Sequence, residues 1–311
     1  MPSFTCIDLS SGATVPIPNQ TVVCLGNFDG VHLAHRALLE RAKILRQNHF
    51  PDAALCVFSF FEPSWVTLSK APAPQLSTLE EKLETYRAVG MEYAILCEFA
   101  EIKSMKPADF VFSILQNTCH TVAAVCGFNY RFGQKGSGTP ALLQELLQAP
   151  VSVQEEISVE NEAVSSTRIR SLLTAGNVEA ATALLTVPYA FSAEVVHGKA
   201  LGATMGFPTL NQFPAPHKLL PRNGVYLTAC EIDGVHYYGV SNVGVRPTVD
   251  CNDTRNCETH LLDASGDFYG KIAKISFLRF LRPEQKFESI DALQAQIKQD
   301  IASARRALTQ A

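Results

Sequence analysis

No G-x-x-x-x-G-K-[ST] run and no G-x-G-x-x-G run occurs in the 311 residues, which excludes a P-loop and the usual dinucleotide fingerprint. An excess of positive charge is also missing. Lys and Arg number 26 against 30 Asp and Glu, a net charge of −4. The chain therefore lacks the footprint of a dedicated nucleic-acid binder, and any anionic ligand must be held by a local site. No apolar run approaches the roughly 18 residues of a membrane span. The opening MPSFTCIDLSSGATVPIPNQ has neither a basic start nor an apolar core, which predicts an unexported protein with no membrane or nucleic-acid partner. The nine cysteines are scattered, odd in number and never in C-x-x-C spacing, so they read as reduced thiols of a cytoplasmic protein, not as disulfides or a zinc ribbon. Charged residues are 18% and apolar residues 47%, too little charge for disorder and enough apolar surface for buried cores.

At about 100–200 residues per domain, this length predicts two domains. From Thr21 to about Gln154 the runs TVVCL, ALCVFSF, YAILC, TVAAVCG and VSVQE alternate with helical patterns at Ala34–Asn48, Thr78–Gly90, Pro107–Asn117 and Ala141–Gln148. That βαβα order predicts a parallel sheet covered by helices on both faces. Two short helices follow, Thr167–Ala175 and Val178–Leu185. After Val187-Pro188 the texture changes to FSAEVVHG, GVYLTACEIDG, HYYGVSNVG, ETHLLD and KIAKISFLRFL, short strands spaced as in a small antiparallel barrel. Asp233-Gly234 within EIDGVHYY is the clearest hairpin turn, and Ser289–Leu308 repeats apolar residues at helical spacing. The predicted domains are 1–186, an α/β Rossmann-like unit, and 187–311, an antiparallel β-barrel with a C-terminal helix.

Three segments of the first domain carry the residue types of a phosphate site. GNFDGVHLAHR follows the first strand and enters the first helix, where an open α/β sheet forms its ligand crevice. His32 and His35, three apart, share a helix face at its positive end and can hold a triphosphate; a zinc pair or two surface histidines fit the same spacing. In SSTRIR, Ser165 to Thr167 open a helix whose free amides, with Arg168, can grip phosphates, although an ordinary helix cap reads the same way. In CGFNYRFGQKGSG, Asn129 and Arg131 point the same way if extended and would wall a ligand, while a plain surface loop is the default. In the second domain, HGKALGATMGFPTLN is a glycine-rich flap leading to Thr209 and Asn211, hard oxygen ligands suited to Mg²⁺ carrying nucleotide phosphates, or simply a turn before an edge strand. ETHLLD puts Glu258 and His260 on one face of a strand, so that Glu258 can take a proton from a hydroxyl, though a strand glutamate is more often only solvated.

GNFDGVH, SSTRIR, GFPTLN, LLPRNGVY, NVGVRPT, ETHLLD, DFYGK and FLRPEQKF together resemble, in order and approximate spacing from about Thr21 to Leu308, the prokaryotic bifunctional riboflavin kinase/FMN adenylyltransferase (FAD synthetase) family. Each motif alone is modest; eight in one order are specific. The resemblance implies a nucleotidyltransferase domain followed by a kinase barrel, with riboflavin, FMN and ATP as small-molecule substrates and Mg²⁺ as cofactor. It implies that Thr209 and Asn211 hold the metal-bound nucleotide and that Glu258 is the base. Gly198, Lys199 and Gly202 would cover the nucleotide phosphates, and Arg282 would close the flavin side. It further implies that His32, His35, Ser165, Ser166, Thr167 and Arg168 hold the triphosphate for adenylyl transfer. Gly26, Asn27, Phe28, Asp29, Gly30, Asn129 and Arg131 are then expected at nucleotide or flavin. Two departures fall in the first domain. Ala34 replaces the glycine of the family's H-x-G-H, and Glu62-Pro63-Ser64-Trp65 replaces its Pro-His-Pro element. They leave two alternatives beside the two-activity enzyme: a riboflavin kinase with a weak or inactive first domain, and a flavin-binding regulator without turnover.

Overall fold

The computed structural model describes residues 4–10, 16–70, 73–198, 202, 205–246, 254–264 and 266–309. It divides into two compact units, Met1–Ser166 and Thr167–Ala311.

In the first unit the elements are β1 (Thr5–Asp8), β2 (Thr21–Leu25), α1 (Leu33–His49), β3 (Ala54–Phe60), α2 (Ser64–Leu68), α3 (Leu79–Ala88), β4 (Tyr93–Cys97), α4 (Phe99–Ile102) and α5 (Pro107–Asp109). A π-helix (Phe110–Thr118) continues α5, followed by β5 (Thr121–Gly127), α6 (Pro140–Leu147), β6 (Val151–Gln154) and a small hairpin of β7 (Ser158–Val159) and β8 (Glu162–Ala163). Six strands form one parallel sheet in the order β1-β4-β3-β2-β5-β6. Alternation of side chains along each strand feeds two cores. Val23, Leu25, Cys56, Phe58 and Ile95 face one side, and Val22, Cys24, Leu55, Val57 and Leu96 the other, which is why these runs read as continuously apolar. The chain leaves β2 toward β3 and β4 on one side and returns to β5 on the other, so the loops after β2 and β5 flank the switch point where such sheets bind ligands.

The edge strand β1 was not expected; TCID is too polar and too short to signal a strand, and it forms by pairing in register with β4. The helix expected at Pro107–Asn117 runs mostly as a π-helix, closed by Cys119 N–H to Ile114 O at 2.8 Å, a winding that keeps Phe110, Val111 and Leu115 buried. Among the described residues the cysteines are free thiols. Burial raises the pKa of Cys97 and Cys119 to about 12, so these thiols stay protonated and unreactive.

The second unit holds α7 (Ser166–Ala175, whose first residue belongs to the first unit), α8 (Val178–Leu185), β9 (Ala190–Glu194), β10 (Leu210–Gln212), β11 (Gly224–Ile232), β12 (Val235–Arg246), β13 (Thr254–Leu261), β14 (Ile272–Arg282) and α9 (Ile290–Thr309). The division falls earlier than the expected 186/187, because α8 packs on β14, with Arg279 Nε donating to Glu179 Oε1 at 3.0 Å, and Arg222 N–H reaches Leu173 O at 2.9 Å. The antiparallel sheet runs β10-β13-β12-β11-β14-β9. Val196 N–H donates to Asn211 O at 2.9 Å across the remaining gap, so the sheet nearly closes on itself. Asp233 (φ 52°) and Gly234 (φ 76°) make the expected hairpin between β11 and β12.

Inside the barrel, Tyr189, Phe191, Tyr226 and Phe277 pack ring to ring. A buried chain of hydroxyls crosses three strands: Thr228 to Ser241 and Ser241 to Thr259, each at 2.7 Å. On another face, Val225, Leu227 and Val240 meet Ala304 and Ala307 of α9. Ser241→Ala is expected to break both hydroxyl contacts and destabilise the second unit by roughly 1–2 kcal/mol, checked by urea unfolding.

Candidate active sites

The loop from β2 to α1 holds an unusual backbone. Phe28 (φ 51°), Gly30 (φ 82°) and Val31 (φ 38°) all lie in the left-handed region, which for a β-branched valine is strained and is sustained by its surroundings. Asp29, 1% exposed, is the anchor. Its Oδ1 accepts from the backbone N–H of Leu76 at 2.9 Å and of Ser77 at 3.2 Å. Gly30 N–H donates to Ser77 Oγ at 2.9 Å, and Ser166 Oγ–H donates to Asp29 O at 2.9 Å. Asn27 takes Ser64 N–H on Oδ1 at 3.0 Å and gives Nδ2–H to Ser64 Oγ at 3.2 Å. The polar atoms of Asn27 and the carboxylate of Asp29, expected against nucleotide or flavin, thus brace the loop itself.

His32 is not within the helix, as its spacing with His35 suggested, but is its extended N-cap (φ −70°, ψ 175°), with Nδ1 accepting from His35 N–H at 3.4 Å. The two imidazoles stack at 3.7 Å between centroids, and Phe28 lies 5.1 Å from His35. The two rings therefore share one face at the helix N-terminus, beside its free amides. Burial, then His32, then Lys82 push the His35 imidazole well below its ordinary pKa, which keeps it neutral. Ala34 stands in the first turn of α1, where alanine is the best helix former. Ser64 starts α2 and holds Asn27.

Gly26, Asn27, Phe28, Asp29, Gly30 and His32 therefore form one loop that leads into His35 on α1, and Ser166 is tied to that loop. Ser165 precedes α7, Thr167 is exposed, and Arg168 is half-buried in its first turn. Asn129 and Arg131, beyond β5, do not extend into a wall. Phe128 and Asn129 form a turn closed by Tyr130 N–H to Gly127 O at 3.0 Å, and both Asn129 and Arg131 are exposed, because Tyr130 turns inward to stack on Phe132.

The second unit contains a cavity of about 340 Å³. Gly202, Thr209, Asn242, Glu258, His260 and Arg282 line it, with Asp300 and the apolar Leu293, Ile297 and Ile301 contributed by α9. Register brings the polar groups together: Asn211 pairs with Glu258 across β10 and β13, and Asn242 pairs with the same Glu258 across β12 and β13. Glu258 Oε1 accepts from Asn256 Nδ2 at 3.1 Å. Asn211 is buried beside the cavity, and a Cβ at Gly198 would overlap its side-chain amide. A Cβ at Gly202 would overlap Phe207 O and approach Thr209 Oγ1 to 3.5 Å. The flap glycines thus permit close backbone approach at Asn211 and at Phe207. Lys199, expected in that flap, lies outside the described residues.

Arg282 is held by a two-pronged ion pair, Nε to Asp300 Oδ1 at 2.9 Å and Nη2 to Asp300 Oδ2 at 2.8 Å. Its guanidinium also sits 5.9 Å from the Phe287 ring centroid. Asp300 and Lys82 escaped the sequence reading. Each is a charged residue on the apolar stripe of a helix, Asp300 with Ile297 and Ile301, Lys82 with Leu79, Leu83 and Tyr86, and that misplacement was the available signal.

Residues 15–168 match the family model described as FAD synthetase, and residues 185–308 match the one described as riboflavin kinase. Proteins described as bifunctional riboflavin kinase/FMN adenylyltransferase are similar along nearly the whole chain. That of Escherichia coli K12 is 35% identical over 295 residues, 91% of each chain, and that of Bacillus subtilis is 32% identical over 294 residues, 92% of each. A solved structure from Streptococcus pneumoniae, described as a macrolide-efflux protein, superposes with a TM-score of 0.89 at 28% identity, covering 96% of this chain and 98% of that one. Among the described residues no helix is long and apolar enough to cross a membrane.

Asp29→Ala is expected to strand two buried amides and destabilise the first unit by about 3 kcal/mol, read by urea unfolding. Asp29→Asn, which keeps one acceptor oxygen, is expected to lose less.

Proposed function

The chain belongs to the bifunctional riboflavin kinase/FMN adenylyltransferase family, and from that membership we propose how its residues divide the two reactions. The enzyme phosphorylates riboflavin to FMN and adenylylates FMN to FAD, using ATP in both steps. The observation that carries this reading is the presence of both family matches in one chain, each over a unit with its own polar site.

In the kinase unit, Glu258 accepts the proton of the riboflavin 5′-hydroxyl as its oxygen attacks the ATP γ-phosphorus and ADP departs. Asn211 and Thr209 fit Mg²⁺: both offer hard oxygens, and the flap glycines bring backbone close enough for phosphate to lie over them. Held by these two residues, Mg²⁺ would supply charge neutralisation at the transferred phosphoryl group. Gly198, Lys199 and Gly202 cover the nucleotide. Arg282, oriented by Asp300, closes the flavin side against the apolar face of α9.

In the first unit a phosphate oxygen of FMN attacks the ATP α-phosphorus and pyrophosphate leaves, so no protein nucleophile is required. His32, His35, the amides of the α1 N-terminus, and Ser165, Ser166, Thr167 and Arg168 hold the triphosphate. Gly26, Phe28 and Gly30 shape the loop, Asn27 and Asp29 brace it, and Asn129 and Arg131 contact nucleotide or flavin from the neighbouring loop. Ala34 and Ser64 support an active adenylyltransferase, since one continues a regular helix and the other fixes Asn27. The functional boundary lies at 186/187, and α7 carries the SSTRIR residues from Ser166 onward. Free thiols, all but Cys6 buried among the described residues, support a cytoplasmic setting.

Chromatography of flavins formed from riboflavin with ATP and Mg²⁺ is expected to show FMN and then FAD. Glu258→Gln is expected to slow FMN formation by about 10²–10⁴-fold while FAD still forms from supplied FMN, and His32→Ala is expected to give the reverse pattern. FAD formation that survives both His32→Ala and His35→Ala would remove the histidines from their role.

A further inference from the structure

Helix α3 buries Lys82 at a core position, 1% exposed. Its ammonium donates to Phe60 O at 3.2 Å, at the end of β3. An ammonium has three N–H donors, and among the described residues that of Lys82 makes this one hydrogen bond. The end of β3 also supports the phosphate loop directly, with Ser59 Oγ–H donating to Asn27 O at 3.3 Å. Lys82 is therefore a buried cation set under the loop of the two histidines, with donors to spare. A structural lysine would instead reach solvent or complete its hydrogen bonds.

The groups facing it are few. Asp29, from the loop, attracts it, and the charge of Lys82 reaches His35 at the start of α1. Burial lowers Lys82 to about 8, with Asp29 opposing that shift. Asp29 offsets part of this charge and His35 is neutral, so what the loop gains from the ammonium depends on Lys82 staying protonated.

We propose that Lys82 is a positioning residue for adenylyl transfer, an ammonium fixed beneath the β2–α1 loop that attracts the nucleotide's polyphosphate from below. This rests on placing ATP at that loop. Lysine carries its charge below its pKa, so attraction is present near pH 7 and is lost as pH rises through about 8. The loss falls on KM for ATP in FMN adenylylation and leaves kcat at saturating ATP largely unchanged, because bound polyphosphate restores the proton to Lys82.

The test measures kcat/KM for ATP in FAD formation from pH 6.5 to about 9.5, with riboflavin phosphorylation by the same preparations as control. The unaltered enzyme is expected to fall with pH above about 8 toward the value of Lys82→Met. Lys82→Met is expected to be about 10–100-fold lower at pH 7 and flat through this limb, and Lys82→Arg to keep the high value without the limb. Phosphorylation of riboflavin is expected to be unchanged in both variants. If Lys82→Met keeps the wild-type value and limb while His32→Ala loses FAD formation, Lys82 has no such role and the site stands. If both variants make FAD normally, ATP does not bind at this loop and both readings fall. Should Lys82→Met fail to fold, a wild-type profile with no fall in kcat/KM across this range overturns the proposal by itself.

Discussion

A single buried carboxylate organises the first unit. Asp29 lies in a loop whose backbone runs through three left-handed residues, one of them a valine, a path that no local preference favours. What holds it is a set of hydrogen bonds from distant chain: the amides of Leu76 and Ser77 to its carboxylate, and Ser166 to its carbonyl. The amide groups that would satisfy themselves in a turn are used as clamps, and the histidine pair is stacked at the N-terminus of α1. Desolvating a carboxylate is unfavourable unless it is bonded and opposed by charge; the amides supply the first and Lys82 the second.

The barrel reaches the same end by different means. Its site is assembled by strand register, which sets Asn211, Glu258 and Asn242 side by side on three neighbouring strands. The floor is stiffened by a hydroxyl chain and a cluster of aromatic rings, and the open side is closed by α9. The Arg282–Asp300 pair spans that closure. As a two-pronged, mostly buried ion pair it fixes the position of the guanidinium more than it adds stability. Both reactions transfer phosphorus groups to an oxygen the substrate brings, so positioned charge is the chemistry each site has to supply.

Much of this was legible in the chain. Apolar runs of four to seven residues marked the central strands, because parallel strands covered on both faces must be apolar throughout, and Asp233-Gly234 marked its hairpin, because few residue pairs accept two positive φ angles. Residue type also fixed the candidate chemistry at His32, His35, Thr209, Asn211 and Glu258. Tertiary structure alone decided the rest. β1 exists only through its pairing with β4. His32 left the helix to cap it, Asn129 and Arg131 turned outward because Tyr130 turned in, and Asn27 and Asp29 took on bracing of the loop. Lys82 and Asp300 gained their importance from neighbours far along the chain. The physical reason is common to all of these: local sequence sets periodicity and turn geometry, whereas the partner of a buried polar group, and hence its charge and its role, is chosen by whichever segment the fold packs against it.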